Sequence, residues 1–266
     1  MSRHFTFSRA QHDVPVEVVE VLDERARVLS LPMVLIGAAA RDLCVHAPLA
    51  ESPTRTTNDV DIAIAVPHGE EFARFTSPFD AVKKAEHKFV VLGIEVDIVP
   101  FGGVESDGEV TFRDGSVLDV VGLREAMASP DLVTLSPDLT VQVASIQAQT
   151  ALKILAWRDR HVQNPKDAPD LHAVLSAGSG GPYADEMWMA DDALEACGYI
   201  PDLAGAYLLG RTCGEGFTPE RARAVSDVLD DPRAFAQLAL QMGHLTSSEL
   251  LDAYRRGFTR GISTTG

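Results

Sequence analysis

Cysteine is scarce in this chain: Cys44, Cys197 and Cys213 are odd in number and share no paired spacing, so neither a disulfide framework nor a zinc knuckle is expected. Long apolar runs are missing as well. No stretch approaches the length needed to span a bilayer, and Met1-Ser2-Arg3-His4-Phe5 lacks the charged-then-apolar order of a signal peptide. A cytoplasmic protein with no membrane association is therefore the expectation. Basic residues are in short supply too, with 23 Lys+Arg against 39 Asp+Glu and a formal net charge of −16. A chain this acidic lacks the broad electrostatic footprint that supports nucleic-acid binding, so an RNA or DNA substrate would need a local basic patch or bridging metal. There is no internal repeat and no low-complexity tract. Apolar residues make up 45% of the 266 positions, which is enough for one large core or two modest ones.

The densest chemistry lies in Arg55-Thr56-Thr57-Asn58-Asp59-Val60-Asp61, which runs into Ile62-Ala63-Ile64-Ala65-Val66. If residues 59–66 form a strand, Arg55, Thr57, Asp59 and Asp61 project from one face, and Val60, Ile62 and Ile64 from the other. Two carboxylates one residue apart on a rigid strand suit a hard divalent ion, Mg²⁺ or Mn²⁺. The carboxylates open the strand here, whereas in haloacid dehalogenases they follow it, which argues against a phosphatase of that type. A third carboxylate, Asp97, sits in the apolar run Ile94-Glu95-Val96-Asp97-Ile98-Val99. Burying it uncompensated is costly, so it needs a cation or backbone donors nearby. A metal held by Asp59, Asp61 and Asp97 accounts for all three. The alternative is a capped strand start with an Arg55 ion pair, plus an Asp97 bonded to backbone amides.

Periodicity organises the rest. Apolar positions predict a helix over 14–29, a buried strand at Met33–Ile36, and a helix restarting at Gly37. Residues 48–57 read as a surface loop and 68–86 as a helix. Strands at 89–92 and 94–101 are separated only by Gly93, and glycine-punctuated residues 102–115 read as a hairpin. A strand at 139–143 precedes a long helix over 145–160. The Ser176–Pro182 stretch, rich in glycine, reads as a linker, beyond which only helices are expected, with a frayed end at Gly261–Gly266. The expected architecture is α+β: a mixed β-sheet flanked by helices over residues 1–175, then a small helical C-terminal domain over 183–266.

Three further features bear on chemistry. Gly37-Ala38 opens a helix, where free amides favour a phosphate, although glycine before a helix is also ordinary turn chemistry. Arg41, one turn on, is either a phosphate donor or a surface ion-pair partner. Lys153 stands alone in Ala151-Leu152-Lys153-Ile154-Leu155-Ala156-Trp157 and either snorkels or meets a buried anion; Trp157 reads as core. In Lys166-Asp167-Ala168-Pro169-Asp170-Leu171, the two aspartates lie one turn apart and could pair with Arg160 or Lys153. None of the eight histidines has metal-ligand spacing.

Together, Gly37-Ala38, Arg55-x-Thr57-x-Asp59-x-Asp61, Asp97, Lys153 and Lys166-Asp167-x-x-Asp170-Leu171 resemble the nucleotidyltransferase superfamily, and more narrowly the AbiEii-like group associated with type IV toxin–antitoxin systems. The resemblance covers roughly residues 14–175. It implies Mg²⁺ or Mn²⁺ on Asp59, Asp61 and Asp97, and nucleotide contacts from Gly37, Ala38, Arg41, Arg55, Thr57 and Lys153. Asp170 would be the second-motif carboxylate. The superfamily usually has Gly-Gly or Gly-Ser at the phosphate turn; here Ala38 keeps the amide and lacks the hydroxyl. The implied activity is transfer of a nucleoside monophosphate from an NTP to a hydroxyl, with pyrophosphate release. The acceptor is left open among an RNA or tRNA end, a small molecule and a protein side chain, with a cognate antitoxin as the implied protein partner. The competing expectation is a non-catalytic nucleotide-binding or interaction protein that keeps the same fold.

Overall fold

The computed structural model describes residues 2–51, 59–82 and 85–264. Contacts group the chain into two compact units, Met1–Ser145 and Ile146–Gly266.

The first unit is built on an eight-stranded mixed sheet. Its strands are β1 (His4–Thr6), β2 (Met33–Ile36), β3 (Asp59–Val66), β4 (Asp80–Ala81), β5 (Lys88–Val91), β6 (Ile94–Gly102), β9 (Asp131–Ser136) and β10 (Leu139–Val143), and their order across the sheet is β1-β9-β10-β2-β3-β6-β5-β4. β7 (Glu109–Thr111) and β8 (Val117–Asp119) form a separate hairpin. The helices are α1 (Val16–Leu29), α2 (Gly37–Arg41), α3 (Ala47–Leu49), α4 (Gly69–Thr76) and α5 (Leu123–Ala128), with a π-helical turn at Asp42–His46 joining α2 to α3. Strand β3 runs antiparallel to β2, pairing Ile36 with Asp61, and parallel to β6, pairing Asp61 with Asp97.

Alternation divides the middle of this sheet into two unlike faces. Leu35, Val60, Ile62, Ile64, Phe89, Val91, Val96 and Ile98 are all buried on one face, where each aliphatic or aromatic side chain contributes roughly 1.5–3 kcal/mol. The other face carries Asp59, Asp61, Lys88 and Asp97 half-buried and Glu95 exposed. Dense apolar packing thus fixes the strands from one side and holds the acidic residues in place on the other.

The second unit is helical: α6 (Ile146–Arg160), α7 (Asp167–Ala177), α8 (Ala184–Trp188), α9 (Asp191–Ala196), α10 (Pro201–Glu215), α11 (Pro219–Asp230), α12 (Pro232–Met242) and α13 (Ser247–Thr264). Helices α6 and α7 pack on α10, α11 and α12, so they group with the downstream helices, upstream of the boundary read at 176–182. Gly178 of that stretch serves a close approach. A Cβ on Gly205 of α10 would fall 2.6 Å from the Gly178 carbonyl carbon, and only paired glycines let the two backbones meet.

Other departures from the sequence reading are local. The helix expected over 68–86 stops at Thr76, two residues before Pro78, and the chain turns into the edge strand β4. Short β1 and α5 carry too few residues to show a period, and the six-residue β9, whose burial alternates, was passed over. Residues Gly261–Thr264, read as frayed, continue α13. Pro48 lies in α3 instead of a loop, and residues 52–57 of that stretch, including Arg55 and Thr57, lie outside the described residues. Among the described residues, no helix is long and apolar enough to cross a membrane.

Candidate functional site

The site grows from the junction of β2, α2 and β3. Gly37 follows β2 with φ +67°, and a Cβ there would fall 2.0 Å from Asp61 Oδ2. Glycine is needed twice over: for the left-handed backbone, and because a side chain would collide with that carboxylate. The turn therefore lies directly against Asp61. Ala38 beside it is buried. Arg41 is not the surface ion-pair partner that was one of its expected roles. It is fully buried, and its Nε and Nη2 donate to Asp42 Oδ1 at 3.0 and 2.7 Å.

Asp59, Asp61 and Asp97 share one sheet face. Asp61 stands beside Asp97 across the parallel pairing, and Asp59 stands beside Glu95. The partner of Asp97 is a residue that the sequence reading passed over, Lys88 on β5. Its Nζ donates to Asp97 Oδ1 and Oδ2 at 2.7 and 2.9 Å and to Glu95 Oε1 at 2.9 Å. Burial opposes the Lys88 charge, but the bonds and attraction from Asp97 and Glu95 outweigh it and hold the pKa above that of an ordinary lysine.

The signal for Lys88 was in the turn. Leu92 and Gly93 have φ of 50° and 83°, the pair of positive values that a two-residue type I′ hairpin requires. Counting back from Val91↔Ile94 gives Val90↔Glu95, Phe89↔Val96 and Lys88↔Asp97. With Leu92 read as strand, that register was lost.

Lys153, Asp167 and Asp170 form a network within the second unit. Lys153 Nζ donates to Asp170 Oδ2 at 2.7 Å and Asp167 Oδ1 at 3.3 Å. Arg160 Nε and Nη2 donate to Asp167 Oδ2 and Oδ1 at 2.6 and 2.9 Å. Burial acts against the Asp167 charge, yet Arg160 and Lys153 prevail and keep its pKa below the usual carboxylate value. Of the alternatives for Lys153, the structure shows a buried anion, and that anion is the protein's own. Trp157 is core, with Nε1 donating to Gln241 Oε1 at 2.6 Å.

The donor chemistry of the sheet face, all carboxylate oxygen, suits Mg²⁺ or Mn²⁺. Among the described residues, however, no three His, Cys, Asp or Glu side chains are gathered into a ready cation cage, and both Asp97 oxygens already accept from Lys88. Asp59 and Asp61, two apart on one face with the Gly37 turn against Asp61, are the pair that fits an ion completed by a ligand's own oxygens. No protein-family model matches the chain, and no curated protein matches it. The class stands on architecture alone: a mixed-sheet α/β unit and a helical unit.

Proposed function

We propose that this chain is a metal-dependent nucleotidyltransferase, moving a nucleoside monophosphate from an NTP to a hydroxyl acceptor with release of pyrophosphate. The observation that carries this reading is the Gly37 turn pressed against Asp61, with Asp97 next to Asp61 on the adjoining strand. On this reading the helix start at Gly37, with its free amides, lies beside a carboxylate-bound ion, where a phosphate chain would approach.

On this reading Asp59 and Asp61 hold Mg²⁺ or Mn²⁺, and the backbone amides at Gly37-Ala38, where a helix opens, meet the triphosphate. A bound ion supplies charge neutralisation for the triphosphate and its leaving pyrophosphate. Asp97, on the same face, orients the acceptor hydroxyl. The AbiEii-like resemblance adds a toxin role with a cognate antitoxin to the proposal.

Incubation with each α-labelled NTP, Mg²⁺ and three acceptor classes (RNA including tRNA ends, aminoglycoside-type small molecules, and protein) tests it. Label should move to one acceptor class, and Asp61→Asn should reduce transfer to background while melting as the wild type does. Transfer retained in Asp61→Asn, or none under any combination, defeats the proposal. The second reading, a non-catalytic nucleotide-binding or interaction protein, is favoured by one observation: Lys88 already neutralises Asp97. Thermal shifts separate the two, since stabilisation by NTP only with Mg²⁺ supports the enzyme, and none with either supports the interaction protein.

A further inference from the structure

Residues 184–202, which make up α8, α9 and the start of α10, include six acidic side chains and no Lys or Arg. Their large apolar side chains stay outside the core. Trp188 and Met189 are 57% and 82% exposed where α8 ends, and Tyr199 and Ile200 are 70% and 51% exposed between α9 and α10. Single exposed apolar residues are ordinary, but two pairs in one segment, each with an aromatic, have the composition of an interface. Tyr199 is also held at φ 61°, a left-handed conformation that a bulky residue adopts only at a cost. The two pairs flank α9, a six-residue helix about 9 Å long, and α8, α9 and α10 pack on one another. Both pairs therefore fall within the footprint of one partner, about 800 Å² on each side.

Charge selects that partner. Between the pairs, α9 exposes Asp191, Asp192 and Glu195. Arg211 pairs with Asp192, and Arg256 donates to the Ala196 carbonyl and to Asp252. Among the described residues, Asp185, Asp191 and Glu195 make no ion pair. A second copy of the chain would bring the same carboxylates, and an anionic lipid or nucleic acid would bring phosphates, so each is repelled. We propose that α8, α9 and the start of α10 form a docking surface for a basic amphipathic helix of another protein. Apolar side chains about two turns apart on that helix cover Trp188-Met189 and Tyr199-Ile200, while Lys or Arg between them meets Asp191 and Glu195. The surface lies within the helical unit and is independent of the sheet-face carboxylates.

Fluorescence anisotropy of a labelled synthetic helix, with leucine pairs two turns apart and lysines between, tests this against the full-length chain without nucleotide or metal. The lysine peptide should bind, more weakly as salt rises, and a peptide with glutamate in place of lysine should not. Trp188→Ala/Tyr199→Ala should weaken binding at least ~10-fold, and Asp191→Asn/Glu195→Gln should flatten the salt dependence. Leu245→Ala, which trims an exposed apolar residue between α12 and α13, and Glu220→Gln/Asp227→Asn, the same charge change on α11, should leave binding unchanged. The single variants Trp188→Ala and Tyr199→Ala repeat the measurement should the double variant not fold. The proposal is overturned if the glutamate peptide binds as well, if no peptide binds, or if folded Trp188 and Tyr199 variants bind as tightly as the wild type. It is also overturned if the α11 charges matter as much as Asp191 and Glu195. A chain that sediments as a dimer, which Trp188→Ala/Tyr199→Ala dissolves, overturns it in favour of a second copy as the occupant.

Discussion

Among the described residues, two lysine–aspartate centres have the same shortest contact and differ in kind. Lys88 and Asp97 meet at 2.7 Å on a sheet face where their side chains keep 29% and 19% of their exposure; Lys153 and Asp170 also meet at 2.7 Å, but at 8% and 3%. Water reaches the first pair and screens it, so breaking it costs little. The second pair has lost its hydration, so removing one partner strands a buried charge. Short contact alone therefore says nothing about whether a charge can be exchanged for a ligand. Burial sets what breaking each pair costs, and by that measure the Lys153 pair is structural and the Lys88 pair adds little to stability.

The sharpest way to break the comparison is Lys153→Ala. It removes the ammonium that bonds both buried aspartates, Asp170 and Asp167, and should destabilise the protein by about 3–5 kcal/mol in chemical denaturation. A loss below ~1 kcal/mol would place the two centres in the same class. Next in size is Gly37→Ala. Its Cβ would sit at φ +67° against Asp61, at a cost of roughly 1–3 kcal/mol. Any nucleotide-dependent thermal shift should vanish with it, because Asp61 must move aside. The smallest effect belongs to Lys88→Met, expected within about 1 kcal/mol of wild type by the same denaturation measurement. A larger loss would show that the half-exposed pair is structural after all.

Much of the first unit was legible from the sequence. Strand β3 has the predicted ends, and its period of two put Asp59 and Asp61 on one face with Val60, Ile62 and Ile64 on the other, as the burial pattern has it. The β5–β6 hairpin and the strand at 139–143 were equally plain, because alternation and glycine punctuation act over a few residues. The ending of α4 was misjudged because its charged and apolar residues keep helical spacing beyond Thr76, and only Pro78 marks the break. The placement of α6 and α7 was hidden for a different reason. A run of glycines reads as a linker until the opposing glycine, Gly205, is known to touch it.

By itself, then, the sequence determined which side chains share a face, since the pleat and the helical turn are set by near neighbours along the chain. It also determined the acidic character of the β3 face and the fold class of a mixed sheet followed by helices. Tertiary structure alone decided that Lys88 meets Asp97, that Arg41 and Asp42 pair in the interior and that Asp61 packs against the Gly37 turn, and it realised the pairing of Asp167 and Asp170 with Lys153 and Arg160 that the sequence had offered. Most of those partners come from other elements of the fold, and even the sequence neighbours Arg41 and Asp42 form a buried pair only because the packing around them excludes water. Electrostatic consequence depends on distance and burial, and neither exists until the chain has folded.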